Sequence, residues 1–317
     1  MSGLHIIATG RCLPKNAVTN DKLSETVDTN DEWIRSRTGI QQRYYCSDGE
    51  DNTFLATGAG RQALERSGIA KEDLGAVVVA TLTGDYATPS TACLVQRNLG
   101  LPTDIPVLDV NAACTGFLYG LQVAKGLLLQ SDKKYALVIG SEDLSRLMDF
   151  EDRGVCVLFG DGAAAAVVEL SDQHPYHCVL GAEGDADILY CRGAGSHDEK
   201  GMQAVRMQGQ EVFRFAVRVI PKCANRLLEM SGLTMADIDY IVCHQANERI
   251  IRSAIKKMKE PEEKFYINLH KYGNTSSASI PIALDEMVTD GIIQPGMKVM
   301  CIGFGAGLTW GGAILDF

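Results

Sequence analysis

The feature that most constrains this 317-residue chain is that it repeats itself. Residues 67–84 read SGIAKEDLGAVVVATLTG and residues 231–248 read SGLTMADIDYIVCHQANE, an offset of 164. A second pair, KKYALVIG at 133–140 and GMKVMCIG at 296–303, follows at an offset of 163. A helical run stands before each Ser-Gly, TGAGRQALERSG in one half and KCANRLLEMSG in the other. Self-similarity at near-equal offsets means one supersecondary architecture built twice. Each half reads coarsely as helix, strand, helix, strand, helix, strand. The strands VVVAT, YIVCH, ALVIG and VMCIG are short and aliphatic, which suits a sheet covered on both faces. Their alternation with helices predicts a largely parallel α/β sheet in each half. The polar, proline-containing segment 171–177 marks the boundary, giving halves 1–172 and 173–317 with any active site near their junction.

Composition narrows the function classes. A net charge of −10 argues against general nucleic-acid binding. Hydrophobic residues at 46% and charged residues at 22% describe a globular chain with a large core. The N-terminus MSGLHIIATGRCLPKN lacks a charged region followed by a long apolar one, so it does not read as a signal peptide. No apolar run approaches the roughly 18 residues of a membrane span. Ten cysteines with no C-x-x-C pair are expected to be reduced thiols in a cytoplasmic protein. His174, His177 and Cys178 (HPYHC) look ligand-like, but no second pair accompanies them, and a solvated loop is the simpler reading.

Among the cysteines, Cys114 has a distinctive setting. In DIPVLDVNAACTGFLYGLQVAKGLLLQ an extended run gives way to helical spacing at Cys114, among Ala112, Ala113 and Gly116. A thiol at a helix start meets unpaired backbone N–H groups and the positive end of the dipole, which lowers its pKa and suits a nucleophile. A small buried residue closing a strand–helix turn fits the same pattern. His244 (IVCHQANER) stands at a strand end in the second half, where α/β sites collect, or caps the next helix. Asn274 (KYGNTSSAS) stands at the second half's counterpart of the Cys114 turn, or is an ordinary N-cap. The closing IGFGAGLTWGG has a dinucleotide-loop pattern, yet a final strand rather than a helix follows it. Its glycines suit a backbone that approaches a ligand and offers N–H groups.

Taken together, DTNDEWIRSRTGI, DVNAACTGF, DRGVCVLFGDGAAA, CHQAN, YGNTSSAS and GFGAGLTWG resemble the β-ketoacyl-acyl carrier protein synthase III family, the initiating condensing enzymes of bacterial fatty-acid synthesis in the thiolase superfamily. The resemblance covers essentially the whole chain. It implies a thiolase-like fold, two duplicated α/β halves in an α-β-α-β-α layering. It implies a catalytic set of Cys114, His244 and Asn274. Asn274 departs from the second histidine of elongating condensing enzymes and from the second cysteine of thiolases.

The implied activity is that of an acyltransferase with two half-reactions. Cys114 accepts an acyl group from acyl-CoA, with backbone N–H groups of Cys114 and Gly307 as oxyanion hole. His244 and Asn274 then donate hydrogen bonds to the thioester carbonyl of malonyl-acyl carrier protein as it loses CO₂. No metal and no cofactor are implied, acyl-CoA being a substrate. The CoA site is expected from Thr29, Trp33, Arg37, Arg153 and Asn247, with the indole and a guanidinium stacking on the base. By itself Trp33 reads as the core anchor of an amphipathic helix. In ERIIRSAIKKMK, Arg249, Arg252, Lys256 and Lys259 share a helix face. With Arg249 matching the family, that face, together with Lys257 and Arg214, is the expected dock for an acidic acyl carrier protein. A homodimer is also implied.

One position departs from acetyl-preferring relatives. Thr88 stands where they carry a bulky aromatic that closes the acyl pocket across the dimer interface. A primer pocket longer or wider than acetyl needs is therefore expected, with Met207 and Phe213 also lining it. Three other readings are a specialised condensing enzyme of secondary metabolism, a Cys-His-Asn thioester hydrolase, and a silent acyl-binding subunit.

Overall fold

The computed structural model describes residues 3–193 and 195–317. Each half contributes one sheet. The first has the strand order Gly3–Cys12, Gly162–Ser171, Tyr135–Glu142, Leu74–Ala80, Val107–Val110. The second has the order His177–Asp185, Gly307–Asp316, Lys298–Gly305, Tyr240–Cys243. The orders match strand for strand. The counterpart of the edge strand Val107–Val110 shrinks to one parallel bridge, Ile241 to Phe265. The repeat holds to the residue: Tyr135–Glu142 and Lys298–Gly305 begin and end 163 positions apart. So do the starts of the helices Gly116–Leu128 and Ser279–Thr289.

The expected largely parallel sheets are mixed instead. Among the described strands the parallel pairs lie toward one edge of each sheet, Leu74–Ala80 with both Val107–Val110 and Tyr135–Glu142, and Tyr240–Cys243 with Lys298–Gly305. Each half also opens and closes with a strand that pairs antiparallel, Gly3–Cys12 with Gly162–Ser171 and His177–Asp185 with Gly307–Asp316. The reason lies in the connections. A parallel return needs a covering crossover, usually a helix. The segment 143–161 forms only a short 3₁₀ turn, Ser145–Leu147, and Lys298–Gly305 turns straight back through Ala306 into Gly307–Asp316.

Alternation along the strands builds the layers, because successive side chains point to opposite faces. Ala76, Val78, Ala136 and Val138 pack inward with Val299 and Cys301 on the helices Gly116–Leu128 and Ser279–Thr289. Val77, Val79, Leu137 and Ile139 pack outward on the helices Asn52–Ser67 and Thr91–Leu99. Met300, Ile302 and Phe304 pack on Gly209–Ser231 and Glu248–Met258. The result is the five-layered α-β-α-β-α stack, with two helices buried between the sheets. No described helix is long and apolar enough to cross a membrane. All ten cysteines are free thiols. His174 stacks on His5 with ring centroids 3.9 Å apart, while His177 and Cys178 lie on the strand His177–Asp185.

Candidate active site

The two central helices begin alike. Each is preceded by a 3₁₀ turn, Ala113–Thr115 in the first half and Ser276–Ala278 in the second. The leading residues, Ala113 and Ser276, have φ of 45° and 48°, a left-handed backbone that costs energy for a residue with a side chain. The first turn follows the carboxyl end of Val107–Val110 and holds Cys114 at its crest. His244 follows the carboxyl end of Tyr240–Cys243. Asn274 leads into the second turn and is clamped by the first half's long connection. Its N–H donates to the Leu158 carbonyl at 2.8 Å, and its carbonyl accepts from the Gly160 N–H at 3.0 Å.

Cys114, His244 and Asn274 line one buried cavity of about 210 Å³. Its apolar wall includes Leu189, Met207, Phe213 and Phe304, and Trp33, Arg37 and Asn247 also line it. His244 is 1% and Asn274 5% exposed, so both polar groups are presented from dry surroundings. The Ser276 N–H donates to Asn274 Oδ1 at 2.9 Å, which fixes the amide and leaves its NH₂ as the free end. The His244 ring meets the edge of Phe304, centroids 5.2 Å apart, and its Nδ1 lies 2.6 Å from Ser279 Oγ.

Burial dominates the electrostatics. It pushes His244 down to about 3, so the imidazole is neutral at physiological pH. It pushes the Cys114 thiol up to about 12, with the Ser276 hydroxyl opposing and the Glu142 carboxyl reinforcing the rise. The expected depression of the Cys114 pKa is therefore corrected. Helix-start N–H groups are present, but removing the sulfur from water outweighs them in the unliganded site.

Gly305 is the residue the glycine motif places against the thiol. A Cβ built on it would stand 2.8 Å from Cys114 Cβ and 3.1 Å from Sγ, so only glycine lets that strand pass. Gly307, the expected oxyanion donor, lines a second cavity of about 1150 Å³ together with Ala113 and Ala306. Gly305 ends one strand of the hairpin and Gly307 begins the other, with Ala306 between them. Among the described residues Leu189 alone lines both cavities.

The other expected residues divide. Trp33 sits on the helix Asp31–Thr38, capped by Asn30, whose Oδ1 accepts the Trp33 N–H at 2.8 Å. Arg37 and Arg153 both stand over its indole, at 4.6 and 5.3 Å. Arg153 is tied to Asp28 at 3.2 Å. The Arg153 guanidinium thus lies directly on the Trp33 ring, with nothing between the two. Asn247 caps the helix Glu248–Met258 and donates to the Arg37 carbonyl at 3.0 Å. The Thr29 hydroxyl is buried without a hydrogen-bond partner and lies outside the cavity lining. Thr88 is exposed and does not line the cavity within one chain.

On the Glu248–Met258 helix the basic face is less uniform than its spacing. Arg252 pairs with Glu248 at 2.6 Å and Glu262 at 2.7 Å. Among the described residues Arg249, Lys256 and Lys259 are exposed and make no ion pair. Lys257 donates to the Val217 carbonyl at 3.3 Å, and Arg214 pairs with Glu211. The motifs did not single out Phe304, Ser276 or Ser279, and marked Gly305 only as one glycine of the closing IGFGAGLTWGG. The repeat could have found the serines, since each stands 163 positions after a residue of the Cys114 turn, Ala113 and Gly116.

Comparison with known proteins gives a consistent answer. Two family profiles match, "3-Oxoacyl-[acyl-carrier-protein (ACP)] synthase III" over residues 108–186 and its C-terminal counterpart over 228–317. The chain is 45% identical to the β-ketoacyl-[acyl-carrier-protein] synthase III of Clostridium acetobutylicum, covering 100% of this chain and 99% of the relative. It is 44% identical to the same enzyme of Clostridium novyi over the full length of both. The crystal structure of 3-oxoacyl-[acyl-carrier-protein] synthase III from Aquifex aeolicus superposes with a TM-score of 0.92 at 41% identity, covering 99% of this chain and 100% of that one.

Proposed function

The chain belongs to the β-ketoacyl-[acyl-carrier-protein] synthase III family, thiolase-fold acyltransferases that perform the first condensation of fatty-acid synthesis, and we propose that it does so through an acyl group carried on Cys114. The observation that carries this reading is the convergence of Cys114, a neutral His244 and the Asn274 amide on one buried cavity. An acyl-CoA enters past Trp33 and Arg37. The Cys114 sulfur attacks its thioester carbonyl, the CoA sulfur leaves, and the thiol proton ends on the departing CoA. In this scheme the oxyanion is held by the N–H groups of Cys114 and Gly307, with Gly305 packed against the Cys114 side chain.

Malonyl-acyl carrier protein follows. Its carboxylate leaves as CO₂, and the electron pair of the broken C–C bond becomes an enolate whose oxygen accepts hydrogen bonds from His244 and Asn274. The enolate carbon attacks the acyl-Cys114 carbonyl, the sulfur leaves and regains a proton, and a 3-ketoacyl-acyl carrier protein is released. Neutral donors suit this task, because a carbonyl becoming an enolate gains negative charge while a dry site makes each donor count for more. The scheme draws on no metal or cofactor.

The partners follow from the same reading. Arg249, Lys256 and Lys259, unpaired among the described residues, form the core of the proposed carrier-protein dock, and Arg214 and Lys257 flank it. Thr29, Arg153 and Asn247 join Trp33 and Arg37 in the proposed CoA site. We take the enzyme as a cytoplasmic homodimer of 1–172 and 173–317 halves, with the partner subunit supplying Thr88 to an acyl pocket otherwise walled by Met207 and Phe213. That pocket suits acetyl or a somewhat longer or branched primer. Intact-protein mass spectrometry after incubation with acetyl-, isobutyryl- and octanoyl-CoA tests both points. Acyl adducts on the wild type and none on Cys114→Ala are expected. An adduct on Cys114→Ala overturns the mechanism, and a strict acetyl preference overturns the wider pocket.

A further inference from the structure

We propose that Ser279 is a positioning residue for the condensation step, which holds His244 in the tautomer that points an Nε2–H into the cavity. This rests on the donor role given to His244 above. The bond is direct: Ser279 Oγ lies 2.6 Å from His244 Nδ1, with both residues buried. The direction of the proton follows from the full set of partners on the serine oxygen. The Gln245 N–H, which can only donate, approaches the same oxygen at 3.4 Å. Among the described residues His244 Nδ1 is the one acceptor bonded to this hydroxyl, so a ring that donated through Nδ1 would leave the buried hydroxyl proton without a partner; with Nδ1 accepting, every group is satisfied and the imidazole proton resides on Nε2. Phe304 closes against the ring and limits its rotation. The opposite tautomer would present a lone pair to an enolate oxygen, a repulsive contact where a donor is required.

The duplication shows what is particular to this pair. Ser279 is the first residue of its helix and corresponds to Gly116 at the start of the other. His244 corresponds to Ala80 in the first half. There a Cβ placed on Gly116 would stand 2.9 Å from Ala80 Cβ, a backbone-to-methyl packing with no polar atom. At the same helix–strand contact the second half has a hydroxyl bonded to an imidazole. One copy of the contact packs the fold, and the other orients a donor.

The test separates the two half-reactions in Ser279→Ala, Ser279→Thr and, as the no-donor reference, His244→Ala. Cys114 acylation is followed by mass spectrometry, condensation by CO₂ release from malonyl-acyl carrier protein, and the tautomer by ¹⁵N NMR of histidine-labelled protein. Ser279→Ala is expected to lower condensation by about 10- to 100-fold, less than the roughly 100- to 1000-fold of a lost oxyanion donor because the donor is misoriented rather than removed, while acylation stays within about threefold of wild type. Its His244 signals should shift toward the Nδ1–H form, and Ser279→Thr should restore both rate and tautomer. Three results overturn the proposal: an Nδ1–H tautomer in the wild type, condensation at the wild-type rate in Ser279→Ala, or equal loss of both steps. If His244→Ala condenses normally, the donor role itself fails, which is a different outcome from these.

Discussion

At the residue scale the site is governed by burial. A thiol that burial holds up near 12 is mostly protonated at neutral pH. The rate of Cys114 alkylation by iodoacetamide should therefore rise about tenfold per pH unit through pH 9, with no plateau near the ordinary thiol pKa of about 8.5. A plateau below pH 7 would mean that the helix start wins over desolvation. His244 behaves in the opposite sense. Its folded-state pKa, about 3, lies below the ordinary 6.5, so between those values the unfolded chain binds more protons. Stability is expected to rise with pH across that window and to fall on acidification, by on the order of a few kcal/mol from this group. In His244→Gln the slope of unfolding free energy between pH 4 and 6.5 should flatten, as chemical denaturation at stepped pH will show. These shifts were not legible in the motifs, because spacing places a cysteine at a helix start but does not say how much water reaches it.

At the element scale, one strand–turn–helix unit is used twice and altered at a few positions. The Cys114 turn and its place before a helix were readable from where the aliphatic run ends and helical spacing begins. The strand before His244 was readable in the same way. The antiparallel strands were not, because their direction depends on whether the connection carries a helix, and segment 143–161 has hydrophobic residues without helical packing. The glycine motif was readable as a close approach, but which glycine touches the thiol depends on the hairpin register. Gly305→Ala tests that register. Its Cβ meets Cys114 backbone and side-chain atoms that cannot move cheaply, so acylation should fall by at least about 100-fold while circular dichroism stays native. Wild-type acylation in Gly305→Ala would show that the strand does not fix the nucleophile.

At the scale of the whole molecule, the halves are joined by packing of the central helices and by a buried ion-pair cluster. Asp285, on the second half's central helix, bonds Arg11 at 2.9 Å and Arg66 at 2.7 Å, both from the first half. The aspartate is fully buried and the arginines partly exposed, so Asp285→Ala should cost roughly 2–3 kcal/mol, below the range for a wholly buried pair. Urea unfolding measures it, and an unchanged midpoint would show that the cluster is neutral. The halves differ most in one connection. In the second half a single residue, Ala306, joins the last two strands, whereas in the first the segment 143–161 takes its place, bringing Leu158 and Gly160 to Asn274 and Arg153 to Trp33. The site is thus made by departures from symmetry on a symmetric frame. The repeat foretold the frame, and the departures needed three dimensions.

The central claim is a division of labour, with Cys114 from one half taking the acyl group and His244 and Asn274 from the other driving the condensation. The most direct measurement is a single-turnover experiment on His244→Ala and Asn274→Ala. Each is charged with acyl-CoA, mixed with malonyl-acyl carrier protein, and followed by intact mass and CO₂ release. The prediction is that both variants gain the acyl mass on Cys114 and keep it, with little CO₂ and little 3-ketoacyl product. Discharge at the wild-type rate, or a failure to acylate at all, would contradict it.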